Sequence, residues 1–217
     1  MWIAARRQTD GRGRRGRAWE AGQGNLAATL LTTTGRPAAE AAQISFVAAF
    51  AVRDLAQRYV PEALVRLKWP NDVLIAGHKA AGILIESGRR YDADLWLAVG
   101  IGVNLASAPE GLEYPATSLA AHLRAEVAAP PSAEQALDDL SEAFAHWLAV
   151  WEHGGFAPLR AEWTGCAHGL GARCVARLGE REFTGVAEGM DADGALLLRL
   201  DSGGLQRITA GDIFFGN

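Results

Sequence analysis

The sequence predicts an α+β protein in two parts. A mixed β-sheet packed with helices occupies residues 1–168, and a small all-β barrel occupies residues 169–217. Three observations predict it. Short apolar stretches between residues 25 and 105 are separated by Gly, Pro, Asn and Asp turns; two longer stretches carry helix formers or helical periodicity; and from Gly169 onward short strand-like runs follow at close intervals.

Taken in order, NLAATLLTT (25–33) is an apolar, threonine-rich run ending in Gly35-Arg36-Pro37, the pattern of a buried strand and its turn. PAAEAAQISFVAAFAVRDLAQRY (37–59) opens with Pro at a helix N-terminal position and continues in strong helix formers, so it predicts one helix packed on that strand. LVRLKW, DVLIA and KAAGILIES follow, divided by Pro70-Asn71-Asp72 and Gly77-His78; turn chemistry and length make them an antiparallel meander. LWLAVGIGVNL (95–105) is a further strand, with Gly100 and Gly102 where a neighbour needs close approach to the backbone. SAEQALDDLSEAFAHWLAVWEHGG begins with a Ser132 and Gln135 capping box, repeats Leu137, Leu140, Phe144, Trp147 and Trp151 at helical spacing, and stops at Gly154-Gly155. That aromatic stripe is a helix face on the core and not a ligand box. CVARL, REFTGVAEG, GALLLRL and LQRI, broken by Gly179-Glu180, Asp191-Ala192-Asp193-Gly194 and Ser202-Gly203-Gly204, are the strands of the tail barrel.

A formal net charge of -4, with 49% hydrophobic and 21% charged residues, describes an ordinary globular chain and excludes a general nucleic-acid binder or a disordered segment. Cys166 and Cys174 lack metal-ligand spacing and are packing residues, which with the absence of a signal peptide or membrane-length apolar run points to the cytoplasm and to no membrane partner. Two local features depart from this background. Six arginines lie between Arg6 and Arg17, offset by Asp10 alone, and the chain has 19 arginines but two lysines, Lys68 and Lys79, both inside KWPNDVLIAGHK. A compact, rotatable ammonium is wanted at those two places.

In GRGRRGR, Gly11, Gly13 and Gly16 alternate with Arg12, Arg14, Arg15 and Arg17. Glycine lets the backbone wrap a ligand closely, and guanidinium forks pair with phosphate oxygens. The spacing matches neither the Walker A loop nor the Rossmann fingerprint. By itself it fits a phosphate clamp, an RNA-contacting tract or a solvated loop. The second stretch narrows the choice. Asn71 and Asp72 sit at a tight turn, with Lys68 before them and Lys79 after the next turn: lysine pairs with carboxylate or phosphate, Asp72 can hold Mg2+ or orient a ribose or phosphate group, and Gly82 exposes bare backbone to a ligand. A well-packed hairpin would explain the turn but not the lysines.

GRGRRGRAW and KWPNDVLI-x-x-x-KAAGILIE resemble, in order and spacing, the two signature blocks of the biotin protein ligases. GIGVNL (100–105), Thr117-Ser118-Leu119 and GVAEGMDADGALLL resemble later segments of that family, the last from its C-terminal SH3-like barrel. The resemblance implies a class II synthetase-like catalytic domain that ligates biotin to a lysine of a biotin carboxyl carrier protein, using ATP and Mg2+ and passing through biotinyl-5'-AMP. It implies that Lys79 contacts the biotin carboxylate and α-phosphate, and that Arg12 and Arg14, catalytic with Lys79, lie in a loop ordering over the adenylate. Gln8, Gly11, Arg12, Lys79 and Gly82 then line the biotin site, while Arg14, Arg15, Arg17, Trp19, Lys68, Asn71, Asp72 and Asn104 belong to the ATP and adenylate side, Trp19 packing beneath the loop. A monomer or weak homodimer is expected. Alternatives are a lipoate or octanoyl ligase, which shares the fold but not these blocks, and an inactive relative that binds anions or RNA.

Relatives begin the catalytic domain with an earlier strand and helix carrying an Asp-Ser-Thr-Asn stretch whose Ser and Thr help bind biotin. Met1-Trp2-Ile3 corresponds to the middle of their second strand. A chain of these limits is expected to lack one wall of the biotin pocket, with weak biotin binding and poor solubility. It also lacks the helix-turn-helix domain of some members, so no sequence-specific DNA partner is expected.

Overall fold

The computed structural model describes residues 1–20, 22–89, 94–111 and 115–216. In chain order its elements are β1 (Trp2–Ala4), β2 (Leu26–Thr34), α1 (Ala38–Ala41), α2 (Ile44–Tyr59), β3 (Val65–Lys68), β4 (Asp72–Ile75), β5 (His78–Arg89), β6 (Leu95–Val103), α3 (Ala133–Gly154), α4 (Phe156–Cys166), β7 (Arg173–Leu178), β8 (Arg181–Met190), β9 (Leu196–Leu200), β10 (Leu205–Ile208) and β11 (Asp212–Phe215). The first sheet has the order β1-β2-β6-β5-β4-β3 and the second β10-β9-β8-β7-β11. Named strands pair antiparallel throughout. The parallel component of the expected mixed sheet is confined to the bridges Leu67–Ala167 and Lys79–Ala116. The second sheet runs from β10 to β11 without a closing ladder among the described residues, so it is an SH3-like set of antiparallel strands and not a closed barrel.

Alternation along the strands divides the first sheet into a core face and an open face. One transverse row, Leu67, Val73, Ala81, Val103 and Leu26, runs across β3, β4, β5, β6 and β2, and all five side chains are buried. Over this face lies α2, which buries Phe46, Phe50 and Leu55, and beyond it α3 contributes Leu140, Phe144 and Trp151. Phe50 stacks on Trp147 at 4.5 Å between ring centroids. Beside this pair sits buried Arg53, bonded to Asp54 at 2.9 Å and Glu162 at 2.7 Å, with its guanidinium 4.9 Å from the Phe50 ring and 5.5 Å from the Trp147 ring. Its charge is compensated where burial would otherwise be costly.

The second sheet shares this core. Trp69 Nε1 donates to the Gly194 carbonyl at 2.9 Å, His168 N donates to the Leu67 carbonyl at 2.8 Å, and a Cβ on Gly194 would stand 3.0 Å from Phe46. Buried residues of both sheets form a single hydrophobic cluster.

Three local differences from the sequence reading have physical causes. The helix expected over 37–59 is broken at Ala42 and Gln43; Gln43 turns inward, where its Oε1 accepts from Trp151 Nε1 at 3.1 Å. Helix α4 contains Pro158, which is tolerated because amides of the first turn have no partner within the helix. Strand β11 is only four residues long and carries no alternating run to mark it. The capping box of α3 forms as expected: Gln135 N donates to Ser132 Oγ at 3.2 Å and Ser132 N to Gln135 Oε1 at 3.0 Å. Among the described residues no helix is long and apolar enough to cross a membrane.

Because Phe50 is fully buried against Trp147 and Arg53, Phe50→Ala is expected to lower stability by about 3–5 kcal/mol in urea unfolding. A loss below about 1 kcal/mol would contradict this packing.

Candidate active site

The open face of the first sheet holds a second transverse row one residue away from the buried one. Lys68 pairs with Asp72, Asp72 with Gly82, Gly82 with Gly102, and Gly102 with Ala27, across β3, β4, β5, β6 and β2. The row is charged at one end and bare backbone in the middle. Lys79 joins it through a bulge. Val73 pairs with Ala81 but Leu74 pairs with Lys79, so Ala80 is an extra residue on β5, and both Ala80 and Ala81 face the core. In a regular strand residues 79 and 82 would point to opposite faces; the bulge brings Lys79 onto the face of Gly82, its Cε 3.3 Å from where a Gly82 Cβ would stand. Lys79 Nζ lies 2.6 Å from Asp72 Oδ1, an ion pair in which that buried oxygen receives no aligned hydrogen bond.

Trp19 covers the glycines. A Cβ on Gly102 would stand 2.4 Å from Trp19 Cε2 and one on Gly82 3.1 Å from Trp19 Cζ3, so the indole lies directly on both backbones. Lys79 Nζ is 5.8 Å from the ring centroid, and Trp19 Nε1 is buried without a hydrogen-bond partner. Beside Trp19 opens a cavity of about 440 Å³ lined by Gln8, Gly11, Gly22, Ser107 and Pro109 among others. Its far wall is held by buried Asn25, whose Oδ1 accepts from the amides of Leu105 at 3.0 Å, Ala106 at 3.0 Å and Ser107 at 3.3 Å.

The arginine loop folds back on itself: Trp19 N donates to the Gly11 carbonyl at 2.8 Å and Gly13 N to the Arg17 carbonyl at 2.7 Å. Arg14–Gly16 forms a single 3-10 turn, which Arg15 and Gly16 enter with φ of 58° and 72°. Arg14 Nη1 donates to Asn71 Oδ1 at 3.2 Å, and Asn71 Nδ2 donates to the Ile83 carbonyl at 2.6 Å. Arg15 and Arg17 turn instead to Asp212 on β11. Five cations, Lys68, Lys79, Arg14, Arg15 and Arg17, thus gather around two carboxylates, Asp72 and Asp212. Burial lowers the Lys68 pKa, partly offset by Asp72, and burial likewise lowers that of Arg14, partly offset by Asp212. An anion entering the cluster would offset the cost that burial puts on their charged forms.

The structure therefore brings together Lys68, Asn71, Asp72, Lys79, Gly82, Arg14 and Trp19, with Gln8 and Gly11 lining the adjoining cavity. Arg12 stands apart, exposed and paired with Asp10 at 2.7 Å. Asn104 is 2% exposed, and its Nδ2 donates to the Thr117 carbonyl at 3.0 Å, so its side chain braces the segment beside Lys79. Arg12, Arg14, Arg15 and Arg17 each have a partner within the protein. Among the described residues no three His, Cys, Asp or Glu come together as a metal cage. Sequence reasoning missed Asn25 and Asp212. A single Asn before a strand and a single acid at the start of one carry no spacing signal, and only the fold reveals what they hold.

The chain is similar to proteins of known family. Residues 2–104 match the model of the biotin/lipoate A/B protein ligase family, and residues 169–216 that of the biotin protein ligase C terminal domain. The chain is 45% identical to the biotin–(acetyl-CoA-carboxylase) ligase of Paracoccus denitrificans, over 99% of this chain and 90% of that protein. It is 34% identical to the Mycobacterium tuberculosis enzyme of the same name, over 97% of this chain and 77% of that protein. Among solved structures, the biotin protein ligase of Aquifex aeolicus in complex with biotin and ATP superposes with a TM-score of 0.78 at 25% identity, covering 99% of this chain and 88% of that one.

The contact between Trp19 and Gly102 is testable through a double-mutant cycle. Gly102→Ala is expected to cost about 1–3 kcal/mol of stability in urea unfolding by overpacking, and most of that cost should vanish in a Trp19→Ala background. Equal losses in both backgrounds would mean that the indole does not rest on Gly102.

Proposed function

The chain belongs to the biotin/lipoate A/B protein ligase family, and from that premise we infer that it ligates biotin to a lysine of a biotin carboxyl carrier protein at the expense of ATP. The observation that carries this reading is the row Lys68, Asp72, Gly82 and Gly102, joined by Lys79 and roofed by Trp19. It sets bare backbone and an apolar ring beside a cationic corner, which suits a ligand with an uncharged body and an anionic end. The relatives named above are biotin ligases, which favours biotin over lipoate.

Biotin and ATP are both anionic where they react, so the first task of the site is to overcome their repulsion. The body of biotin lies in the cavity beside Trp19, next to Gln8 and Gly11, with its carboxylate at Lys79. The triphosphate lies over Lys68, Arg14 and Asn71. Lys79, between the two, neutralises the attacking carboxylate and the α-phosphate oxygens on which charge builds; its pairing with Asp72 fixes it there before substrates arrive. Attack of the carboxylate on the α-phosphate forms the acyl–phosphate bond and expels pyrophosphate, giving biotinyl-5'-AMP. The amine of the acceptor lysine then attacks the acyl carbon, and AMP leaves with the bonding electrons.

Asp72, with a buried oxygen that lacks an aligned hydrogen bond, fits a Mg2+ that arrives with the triphosphate: such ions take one or two carboxylates and fill the remaining positions with phosphate and water. The ion would screen the phosphate charges. Arg14, held at Asn71, closes the loop over the adenylate until the acceptor arrives. Residues 1–168 are the catalytic domain and 169–217 the C-terminal domain of an enzyme working in the cytoplasm.

Biotin-dependent exchange of labelled pyrophosphate into ATP tests this reading. Lys79→Ala is expected to reduce exchange by about 10²–10³-fold, and a variant with wild-type exchange would remove Lys79 from its role. Arg14→Gly should instead raise the KM for ATP, retain exchange at saturating ATP, and shorten the lifetime of bound adenylate, seen as biotin labelling of bystander lysines; a wild-type lifetime would contradict the closing role of Arg14.

A further inference from the structure

The arginine loop is closed on itself by backbone bonds, but these do not fasten it to the rest of the protein. Side chains do that, and most of them reach the second sheet. Arg14 Nη1 donates to the Gly211 carbonyl at 3.3 Å and Arg15 Nη2 to the Arg177 carbonyl at 3.4 Å. Arg15 Nη1 lies 3.0 Å from Asp212 Oδ2, and Arg17 Nη2 lies 2.7 Å from Asp212 Oδ1. One carboxylate thus holds two loop arginines, one on each oxygen, nearly two hundred residues away along the chain. The backbone sets this geometry. Asp212 opens β11 opposite Arg177, and the Gly211 before it packs so tightly that a Cβ would stand 2.8 Å from the Arg177 carbonyl oxygen.

We propose that Asp212 is a positioning residue of the adenylation site: by pairing with Arg15 and Arg17 it keeps the arginine loop closed over the sheet, so that the C-terminal domain sets how long the adenylate is retained. The inference rests on the ligase reading above. It reassigns Arg15 and Arg17 from ligand contacts to anchors and leaves Arg14, which also reaches Asn71 on the first sheet, as the arginine aimed at the ligand. A carboxylate suits this part because it grips the guanidinium forks of the empty loop, yet its exposed pairs are weak enough to let the loop open for substrate entry and for the acceptor.

Two measurements test the proposal, with Asp212→Asn to remove the charge at constant shape and Asp212→Glu to restore it. The first needs no ligand: trypsin nicking after the loop arginines in the folded protein, with circular dichroism confirming the fold of each variant. Loss of the two ion pairs is expected to speed nicking of Asp212→Asn by about fivefold, with Asp212→Glu returning close to wild type. The second is release of labelled biotinyl-5'-AMP after a single turnover, which should accelerate by a similar factor in Asp212→Asn while exchange at saturating biotin and ATP stays within about twofold. Unchanged nicking would overturn the tether. Faster nicking with unchanged release would overturn the positioning role. If the wild-type chain made no adenylate, the ligase reading would fall and the positioning role with it, while the nicking rates would still decide separately whether Asp212 holds the loop.

Discussion

One extra residue on one strand organises the site. Ala80 bulges out of the pairing between β4 and β5, and through it Lys79 reaches the open face of the sheet instead of the core. The ion pair with Asp72 and the approach to Gly82 and to the Trp19 ring all follow from that reversal. Bulges commonly re-aim a side chain beside a reaction centre, and here the cost of an interrupted ladder is offset by two buried alanines, Ala80 and Ala81, facing the core together.

Charge is organised around that reversal. Lys68, Lys79 and Arg14 are partly buried, so their charges need counter-ions, yet the corner holds more cations than carboxylates. Such an imbalance costs stability in the empty protein and favours anionic substrates when they bind, which is how a site converts folding energy into recognition of phosphate. The carboxylates are placed unevenly. Asp72 belongs to the first sheet and faces Lys79, whereas Asp212 belongs to the second sheet and faces the loop. The two parts of the chain are therefore joined electrically at the site as well as by the hydrogen bond from Trp69 to Gly194 and the packing of Phe46 and Phe156 against Gly194.

Glycine supplies the other half of the design. Gly82 and Gly102 are neighbours across β5 and β6, and with no Cβ between them they leave a strip of backbone on which an aromatic ring rests. A side chain at either position would lift Trp19 and alter the adjoining cavity. Asn25, tying down three successive amides, keeps the opposite wall in place.

What the sequence determined by itself was local. Alternation and turn residues marked the meander of β3, β4 and β5, the capping box placed the start of α3, and the blocks GRGRRGRAW and KWPNDVLI-x-x-x-KAAGILIE carried the resemblance to the biotin protein ligases, because each is a matter of neighbours in the chain. Gly102 was legible as a point of close approach, though not what approached it, whereas at Gly100 a Cβ would meet nothing nearer than 3.4 Å. Only the tertiary structure decided the rest. A bulge depends on the register of the partner strand, so the facing of Lys79 cannot be read from KAAGILIE. The partners of Arg15 and Arg17 lie on a four-residue strand at the far end of the chain, and Asn104, polar and flanked by a strand, turned inward to brace Thr117. Long-range pairing leaves no periodic trace in a sequence, since it is set by how two sheets pack and not by which residues follow one another.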